Sequence, residues 1–181
     1  MTWVDRYLQE RRIKAALPWI PPQSHVLDVG CYDGALFRRG ASRISSGVGI
    51  DVLESPTWDF VHYEFRNGRF PDSLQPDEKF DAVVMLAVVE HVTDDELARW
   101  FAAIPERLTD NGRVIITVPS PLVDRILKIG IRLRLLEGME VHQHHGFDPN
   151  SMQAFYAPHF RVERRRRFEL GLNHLFVLTP R

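Results

Sequence analysis

The stretch Val26-Leu27-Asp28-Val29-Gly30-Cys31-Tyr32-Asp33-Gly34 decides the fold of this chain. Its first half is short and mostly apolar, as in a strand buried within a sheet, and that half ends at a glycine. A segment of helical composition follows at residues 35–44. A glycine-bearing turn between a buried strand and a helix lets the backbone approach a ligand closely, at the strand end where open α/β sheets bind their ligands. The stretch therefore predicts a strand, a turn and a helix, with a ligand site at the turn.

A second strand is predicted at residues 47–51, and it ends in an acid. This acid, Asp51, follows Gly34 by seventeen residues. It is suitably placed to accept hydrogen bonds from the hydroxyl groups of a ribose. A glycine turn alone is weak support for a nucleoside site, because many βα units contain one. The acid at the end of the next strand makes the assignment much stronger.

Strands and helices alternate at close intervals through the chain, which favours βαβ units and a parallel sheet. The apolar run after Asp81 is typical of a parallel strand buried on both faces. Thr93 is predicted to cap a helix, with Glu96 completing a capping box. The predicted helices are 5–17, 35–44, 94–108 and 122–136, with a helical turn at 152–156, and the predicted strands are 25–30, 47–51, 60–65, 80–86, 113–118, 160–168 and 174–179.

Length and composition suit one domain, residues 1–181, with one substantial core, because 44% of the residues are hydrophobic. The 23 basic and 24 acidic residues nearly balance, which argues against nucleic-acid binding as the main role. The single cysteine, Cys31, fits a reducing compartment. No signal peptide is predicted, and no apolar run approaches the roughly 20 residues of an integral membrane segment. A cytoplasmic protein is expected.

Two ligand classes use a glycine turn of this kind. Dinucleotide sites carry the pattern G-x-G-x-x-G, in which the second glycine lets the pyrophosphate approach. Counting from Gly30, the second glycine position is Tyr32 and the third is Ala35; alanine is tolerated there, but tyrosine would block a pyrophosphate. Asp28 would also be unfavourable beside a pyrophosphate, whereas it suits a cationic amino-acid ligand. A nicotinamide-dependent oxidoreductase is therefore the weaker alternative.

The same segments resemble the class I S-adenosylmethionine-dependent methyltransferases. The matching segments, in chain order, are 26–34 for the first motif, 49–51 for the second, 60–65 for the adenine side, 80–85 with 89–92 for the fourth strand and its sequel, and 108–116 for the next turn and strand. The resemblance implies an α/β fold with a doubly wound, mostly parallel seven-stranded sheet, the Rossmann-like methyltransferase fold, whose last strand is antiparallel. It also implies methyl transfer from S-adenosylmethionine to an unidentified small-molecule acceptor.

The resemblance further implies a set of cofactor-binding residues. They are Asp28, Gly30, Cys31, Tyr32 and Gly34 in the first motif, Asp51 at the ribose, Val52 and Leu53 beside the adenine, Glu64 at its amino group and Leu86 at the end of the fourth strand. Two positions depart from the family pattern: Tyr32 replaces the usual middle glycine, and Glu64 stands where a shorter acid is more common. Tyr32 and the short chain leave a non-catalytic module that binds S-adenosylmethionine as another alternative.

Methyl transfer asks little chemistry of the protein, because the sulfonium already activates the methyl group. The main task is to align the acceptor and exclude water. If the acceptor is a hydroxyl, a general base helps, and His91, just after the fourth strand, is the catalytic candidate. The alternative is that His91 is a helix-entry residue that packs against the loop.

Two clusters in the last third of the chain also attract interest. His142, His144 and His145 are candidate acceptor-binding residues, with a solvated loop as the alternative. No metal site is predicted, because no clear set of carboxylates or cysteines accompanies them.

Residues 122–136 interleave basic and apolar side chains, which is compatible with peripheral membrane contact or a lid, although a core-packing helix is the plainer interpretation. The arginines of 164–167 are candidates for phosphate contact, but a partly solvated strand explains them more simply. The sequence does not indicate an oligomeric state.

Overall fold

The computed structural model describes residues 3–53, 58, 60–120 and 148–181. Within these residues the strands are β1 (Ser24–Val29), β2 (Ile44–Asp51), β3 (Tyr63–Asn67), β4 (Phe80–Leu86), β5 (Leu108–Pro119), β6 (Phe160–Phe168) and β7 (Asn173–Pro180). The helices are α1 (Trp3–Ala16), α2 (Ala35–Gly40), α3 (Asp94–Ala103) and α4 (Gln153–Tyr156). Short 3-10 turns lie at Leu17–Trp19, Val89–His91 and Ile104–Arg107.

The strands form one sheet in the order β3-β2-β1-β4-β5-β7-β6. The first five strands pair in parallel, and β7 pairs antiparallel with both β5 and β6. This arrangement confirms the predicted doubly wound, mostly parallel seven-stranded sheet with an antiparallel last strand. The chain runs outward from β1 to β3 on one side and restarts at β4 on the other, so a topological switch point lies between β1 and β4. Ligands of such sheets bind at the carboxyl ends of the strands beside that point.

Helices cover both faces of the sheet. Alternate residues of β4 point to the two helical layers on either side of the sheet. Ala82 and Val84 face α1 and α2, and Val83 and Met85 face α3 and α4. All four side chains are fully buried, which explains why the sequence of β4 is continuously apolar. We call the two sides of the sheet the α1–α2 face and the α3–α4 face.

Several predicted element boundaries need correction. The helix predicted at 35–44 ends at Gly40, because Ile44 already begins β2. The helix predicted at 94–108 ends at Ala103 and tightens into a 3-10 turn that contains Pro105, whose nitrogen cannot donate a hydrogen bond. The strand predicted at 113–118 begins earlier, at Leu108, and residues 110–112 form an irregularity within β5.

The third strand is shifted more than the others. It was predicted at 60–65, and β3 occupies Tyr63–Asn67. In contrast, the capping box of α3 is confirmed: Thr93 Oγ1 accepts from the Glu96 N–H at 3.3 Å, and a Glu96 carboxylate oxygen accepts from the Thr93 N–H at 3.0 Å. The helix predicted at 122–136 lies outside the described residues. None of the helices that the structure describes is long and apolar enough to cross a membrane.

Candidate functional site

The first motif forms the turn between β1 and α2, and the end of β2 supports it. Gly30 and Gly34 have φ angles of +78° and +65°, which glycine adopts without strain. Tyr32 also has a positive φ, +42°. Its backbone N–H donates to a carboxylate oxygen of Asp51 at 2.9 Å, while the Gly30 N–H donates to the Ile50 carbonyl at 2.8 Å. The Tyr32 side chain is 43% exposed, so the departure from the glycine pattern does not fill the turn.

A buried acid lies directly before this turn. Asp28 is 3% exposed, and no described residue forms a hydrogen bond or ion pair with its carboxyl group. Burial raises the pKa of Asp28 to about 8, and the negative charges of Asp51 and Asp33 contribute further. Removing a carboxylate from water without a partner is unfavourable. Such a group is a candidate for binding the cation of a ligand.

Two other residues pack around the turn. The Cys31 thiol is buried, and a Cβ atom added to Gly49 would lie 2.7 Å from its sulfur, so Cys31 contributes packing against β2; burial raises the pKa of this thiol. The indole of Trp58 covers Gly34, where an added Cβ would lie 2.7 Å from the ring. Its Nε1 donates to the Tyr32 carbonyl at 3.3 Å. Trp58 belongs to no sequence motif, so its place over the turn was not predicted.

The end of β2 places Asp51 beside Asn67, the last residue of β3. Val52, which follows Asp51, is exposed, and the Leu53 carbonyl accepts a hydrogen bond from the Asn67 side chain. Asn67 therefore occupies the edge position at which the sequence analysis expected an adenine-side residue. It was missed because the predicted third strand ended at residue 65.

Glu64 lies away from this edge. It stands three residues before the end of β3, opposite Val48 of β2. Its carboxylate accepts from Arg66 Nε at 2.8 Å, and the other side of Arg66 donates to Glu78 at 2.7 Å. The hydrogen bonds from Arg66 hold the pKa of Glu64 below its ordinary value. The structure does not bring Glu64 together with Asp51.

The segment after β4 closes the other side of the turn. Leu86 is half-buried at the strand end, and Val88 packs over Gly30, where an added Cβ would meet its side chain at 2.7 Å. In the 3-10 turn that follows, Glu90 is buried and His91 is exposed. The catalytic candidate His91 is therefore open to solvent, whereas its neighbour Glu90 is not.

Helix α1 forms hydrogen bonds with two segments at the carboxyl end of the parallel strands. Gln9 donates to Asp33 in the glycine turn at 2.8 Å. One turn further along α1, Arg12 Nε donates to the side-chain oxygen of Asn173 at 3.2 Å, and Asn173 donates to Glu169 at 2.7 Å. Burial lowers the pKa of Arg12, and the charges of Glu90 and Glu169 oppose that effect. A charged network therefore lies between the turn after β4 and the start of β7, and no local sequence pattern predicts it.

The predicted acceptor residues His142, His144 and His145 lie outside the described residues. Among the residues that the structure does describe, no group of three histidine, cysteine, aspartate or glutamate side chains is arranged to hold a metal ion.

The profile of a protein family described as a methyltransferase domain matches residues 2–173. The chain belongs to this methyltransferase family. The match confirms the resemblance to the class I S-adenosylmethionine-dependent methyltransferases that the sequence motifs indicated, and this methyltransferase is accordingly an enzyme. No curated protein matches the chain significantly in sequence.

Solved structures share the fold of this methyltransferase at low sequence identity. The PH0226 protein of Pyrococcus horikoshii OT3 has a TM-score of 0.73 and 16% identity, with 99% of this chain and 92% of that chain covered. The N-methyltransferase NodS of Bradyrhizobium japonicum WM9 has a TM-score of 0.71 and 14% identity, with coverages of 97% and 98%. The 1,6-didemethyltoxoflavin-N1-methyltransferase of Burkholderia thailandensis has a TM-score of 0.73 and 17% identity, with coverages of 98% and 80%.

Proposed function

We propose that this enzyme binds S-adenosylmethionine at the carboxyl edge of β1 and β2 and transfers its methyl group to a small-molecule acceptor. The observation that carries the proposal is the pair of acids beside the glycine turn: Asp28 is buried without a partner among the described residues, and Asp51 ends β2. The Burkholderia thailandensis structure of the same fold supports it, because that enzyme was crystallised with S-adenosylhomocysteine and 1,6-didemethyltoxoflavin.

The residues at this edge fit the chemistry of the cofactor. A buried carboxyl such as Asp28 gains a compensating charge from the ammonium group of an amino acid. Asp51 offers carboxylate oxygens to ribose hydroxyls, and one of them already accepts from Tyr32. Val52 and Leu53 present apolar surface next to Asp51, where we place the adenine. Asn67 takes the role at the adenine that the sequence analysis gave to Glu64.

The remaining residues position the acceptor. When bound, the cofactor supplies a methyl group that its sulfonium has already activated. The protein then has to exclude water and orient the acceptor. We assign that task to the region beyond Leu86, the last residue of β4, where Glu90, Arg12 and Asn173 lie. His91 is proposed as the general base for a hydroxyl acceptor, and the histidines of 142–145 are proposed to contact the acceptor.

The experiment that tests the cofactor assignment is calorimetric titration of the full chain with S-adenosylmethionine. Asp51→Asn is the informative variant, because its amide oxygen still accepts from Tyr32 and the turn keeps its support. Loss of a hydrogen bond to a charged group weakens binding by about 1.5–3 kcal/mol, or about 10- to 100-fold. The matched control is Asp110→Asn. Asp110 is exposed near the start of β5, at the end of the strands opposite the proposed site, and this variant should bind S-adenosylmethionine like the wild type.

Two results would contradict the proposal. One is wild-type protein that does not bind S-adenosylmethionine, and the other is an Asp51→Asn variant with unchanged affinity. A thermal-shift series with a nicotinamide cofactor tests the oxidoreductase alternative, since a ligand that binds only the folded state raises the melting temperature. We expect S-adenosylmethionine and its demethylated product to raise it and the nicotinamide cofactor to leave it unchanged.

A further inference from the structure

Strand β6 is the outermost strand on one side of the sheet, and it carries a concentration of positive charge. The strand contains Arg161, Arg164, Arg165, Arg166 and Arg167 with one acid, Glu163, in a chain whose net charge is −1. All residues between its two ends are exposed. Charged side chains on an edge strand prevent pairing with other sheets. That role explains charge on β6 in general, but it does not explain what lies beneath two of these arginines.

The arginines are divided between the two faces of the sheet. The cross-strand pairs with β7 are Arg164–Val177, Arg165–Phe176, Arg166–Leu175 and Arg167–His174. Paired residues of neighbouring strands project to the same face. Phe176 belongs to the core on the α3–α4 face. Arg165, Arg167 and His174 therefore lie together on that face, and Arg164 and Arg166 lie on the other.

Contacts within the structure fix the position of Arg165. Its guanidinium lies 4.9 Å from the centre of the Phe176 ring, within the range of a cation–π interaction. Its Nη2 donates to the Asn150 side chain at 2.7 Å, and Asn150 donates to Asp148 at 2.9 Å. The other N–H groups of Arg165 form no hydrogen bond with any described residue. Arg167 forms no side-chain hydrogen bond or ion pair with any described residue.

His174 completes the cluster from below. Its side chain is 6% exposed, and its Nδ1 is buried without a hydrogen-bond partner among the described residues. Burial and the charges of Arg165 and Arg167 lower the pKa of His174, and Asp148 opposes them. A buried ring nitrogen without a hydrogen-bond partner is energetically unfavourable. A ligand that bonds to this nitrogen would remove that penalty.

The cluster lies at the same end of the strands as the proposed cofactor site, the carboxyl end of β1–β5. His174 pairs with Val118, one residue before the end of β5. Just beyond that end, the Ser120 N–H donates to the Leu172 carbonyl at 2.7 Å, where the chain enters β7. The cluster therefore lies at the strand ends beyond β4 and β5, where the proposed function places the acceptor, on the opposite face of the sheet from Arg12.

We infer that Arg165, Arg167 and His174 bind a phosphate group of the methyl acceptor. Two guanidinium groups and an imidazole offer hydrogen bonds from three directions, which suits a tetrahedral oxyanion better than a planar carboxylate. The inference rests on the proposed function, because it assigns the acceptor to the phosphate-bearing compounds. Asp148 is the acid that faces the cluster, and its ties to Asn150 hold it beside Arg165.

The test uses inorganic phosphate as the probe and acetate as the carboxylate comparison. Each is titrated into the full chain while the imidazole resonances of His174 are followed by NMR. Wild-type protein should show saturable shifts with phosphate, and acetate should bind at least ten-fold more weakly. In Arg165→Gln/Arg167→Gln the dissociation constant for phosphate should rise at least ten-fold. Glutamine keeps most of the apolar stem, and a circular dichroism melt confirms that the variant folds.

The matched control is Arg164→Gln/Arg166→Gln, which removes the same charge from the other face of the same strand. Its affinity for phosphate should stay within about two-fold of the wild type. Equal losses in both double variants, no response of His174, or acetate binding as tight as phosphate would each overturn the inference. Because S-adenosylmethionine is absent from these titrations, their result is independent of the calorimetric test of the cofactor site.

Discussion

Replacement of Asp28 by asparagine should make the protein more stable and a weaker binder of its cofactor. The carboxyl group is buried, no described residue compensates its charge, and its pKa is raised to about 8. Asparagine has nearly the same shape and carries no charge. The variant therefore removes the unfavourable ionised form from the folded protein and leaves the packing of β1 in place.

The size of the effect follows from the difference between the folded and unfolded pKa values of Asp28. Between an ordinary value of 3.8 and a value of about 8, the ceiling is about 6 kcal/mol, at 1.36 kcal/mol per pH unit. The folded protein binds the extra proton between these values, so its stability is intact below pH 4 and is lost as the pH rises to 8. From pH 5 to pH 7 the wild type should lose up to about 2.7 kcal/mol relative to the variant.

Urea unfolding of both proteins at several pH values between 4 and 9 measures this difference. The free energy of unfolding should coincide near pH 4 and diverge as the pH rises, with the variant more stable. Subtracting the two curves removes the contribution of other groups that titrate in this range. Calorimetry with S-adenosylmethionine at pH 7 should show affinity at least ten-fold weaker in the variant, because the carboxylate no longer balances the ammonium group.

The two expected effects of Asp28→Asn have opposite signs, and each can be contradicted separately. Asp28→Asn protein that is less stable than the wild type at pH 7, or whose difference in stability does not change with pH, would show that the carboxyl is compensated. Unchanged cofactor affinity would show that Asp28 does not contact the cation. Asp110→Asn, at an exposed position, serves as the control and should change neither quantity.

Two further substitutions probe the site. Gly34→Ala should destabilise the protein by about 2–3 kcal/mol in urea unfolding, because the new Cβ meets the Trp58 ring. Gly171→Ala is also at positive φ, but no atom of a described residue lies within 4 Å of the new Cβ, so this variant should lose only about 1–2 kcal/mol. Equal losses would show that the Trp58 contact is unimportant. His91→Ala should lower the turnover number and leave the dissociation constant of S-adenosylmethionine unchanged; full activity on a hydroxyl acceptor would remove His91 from the mechanism.

The central part of the fold could be predicted from the sequence because each signal there is local. Strand β4 was predicted at its observed bounds, since burial on both faces makes it continuously apolar. The capping box at Thr93 depends on residues three positions apart. The glycine turn and Asp51 also lie where the motif spacing placed them.

Other parts depend on contacts that a local pattern does not contain. Strand β3 is an edge strand without a fully buried residue, so its pattern contains little indication of where it ends. Asn67, which we propose for the role first predicted for Glu64, was therefore not foreseen. Arg12 and Asn173 are 161 positions apart in the chain. The cofactor-binding and catalytic roles, the acceptor residues of 142–145 and the cytoplasmic location stay predictions.

The position of β7 between β5 and β6 affects how the protein is made. During translation β5 leaves the ribosome long before β7, and its free edge cannot be paired until Asn173–Pro180 has emerged. A nascent chain therefore exposes an apolar strand edge between the emergence of β5 and that of β7, a state that is prone to aggregation. We expect the sheet of this enzyme to be completed only after β7 has emerged and the enzyme to depend on chaperones during production, and a stop codon before residue 173 should yield insoluble protein.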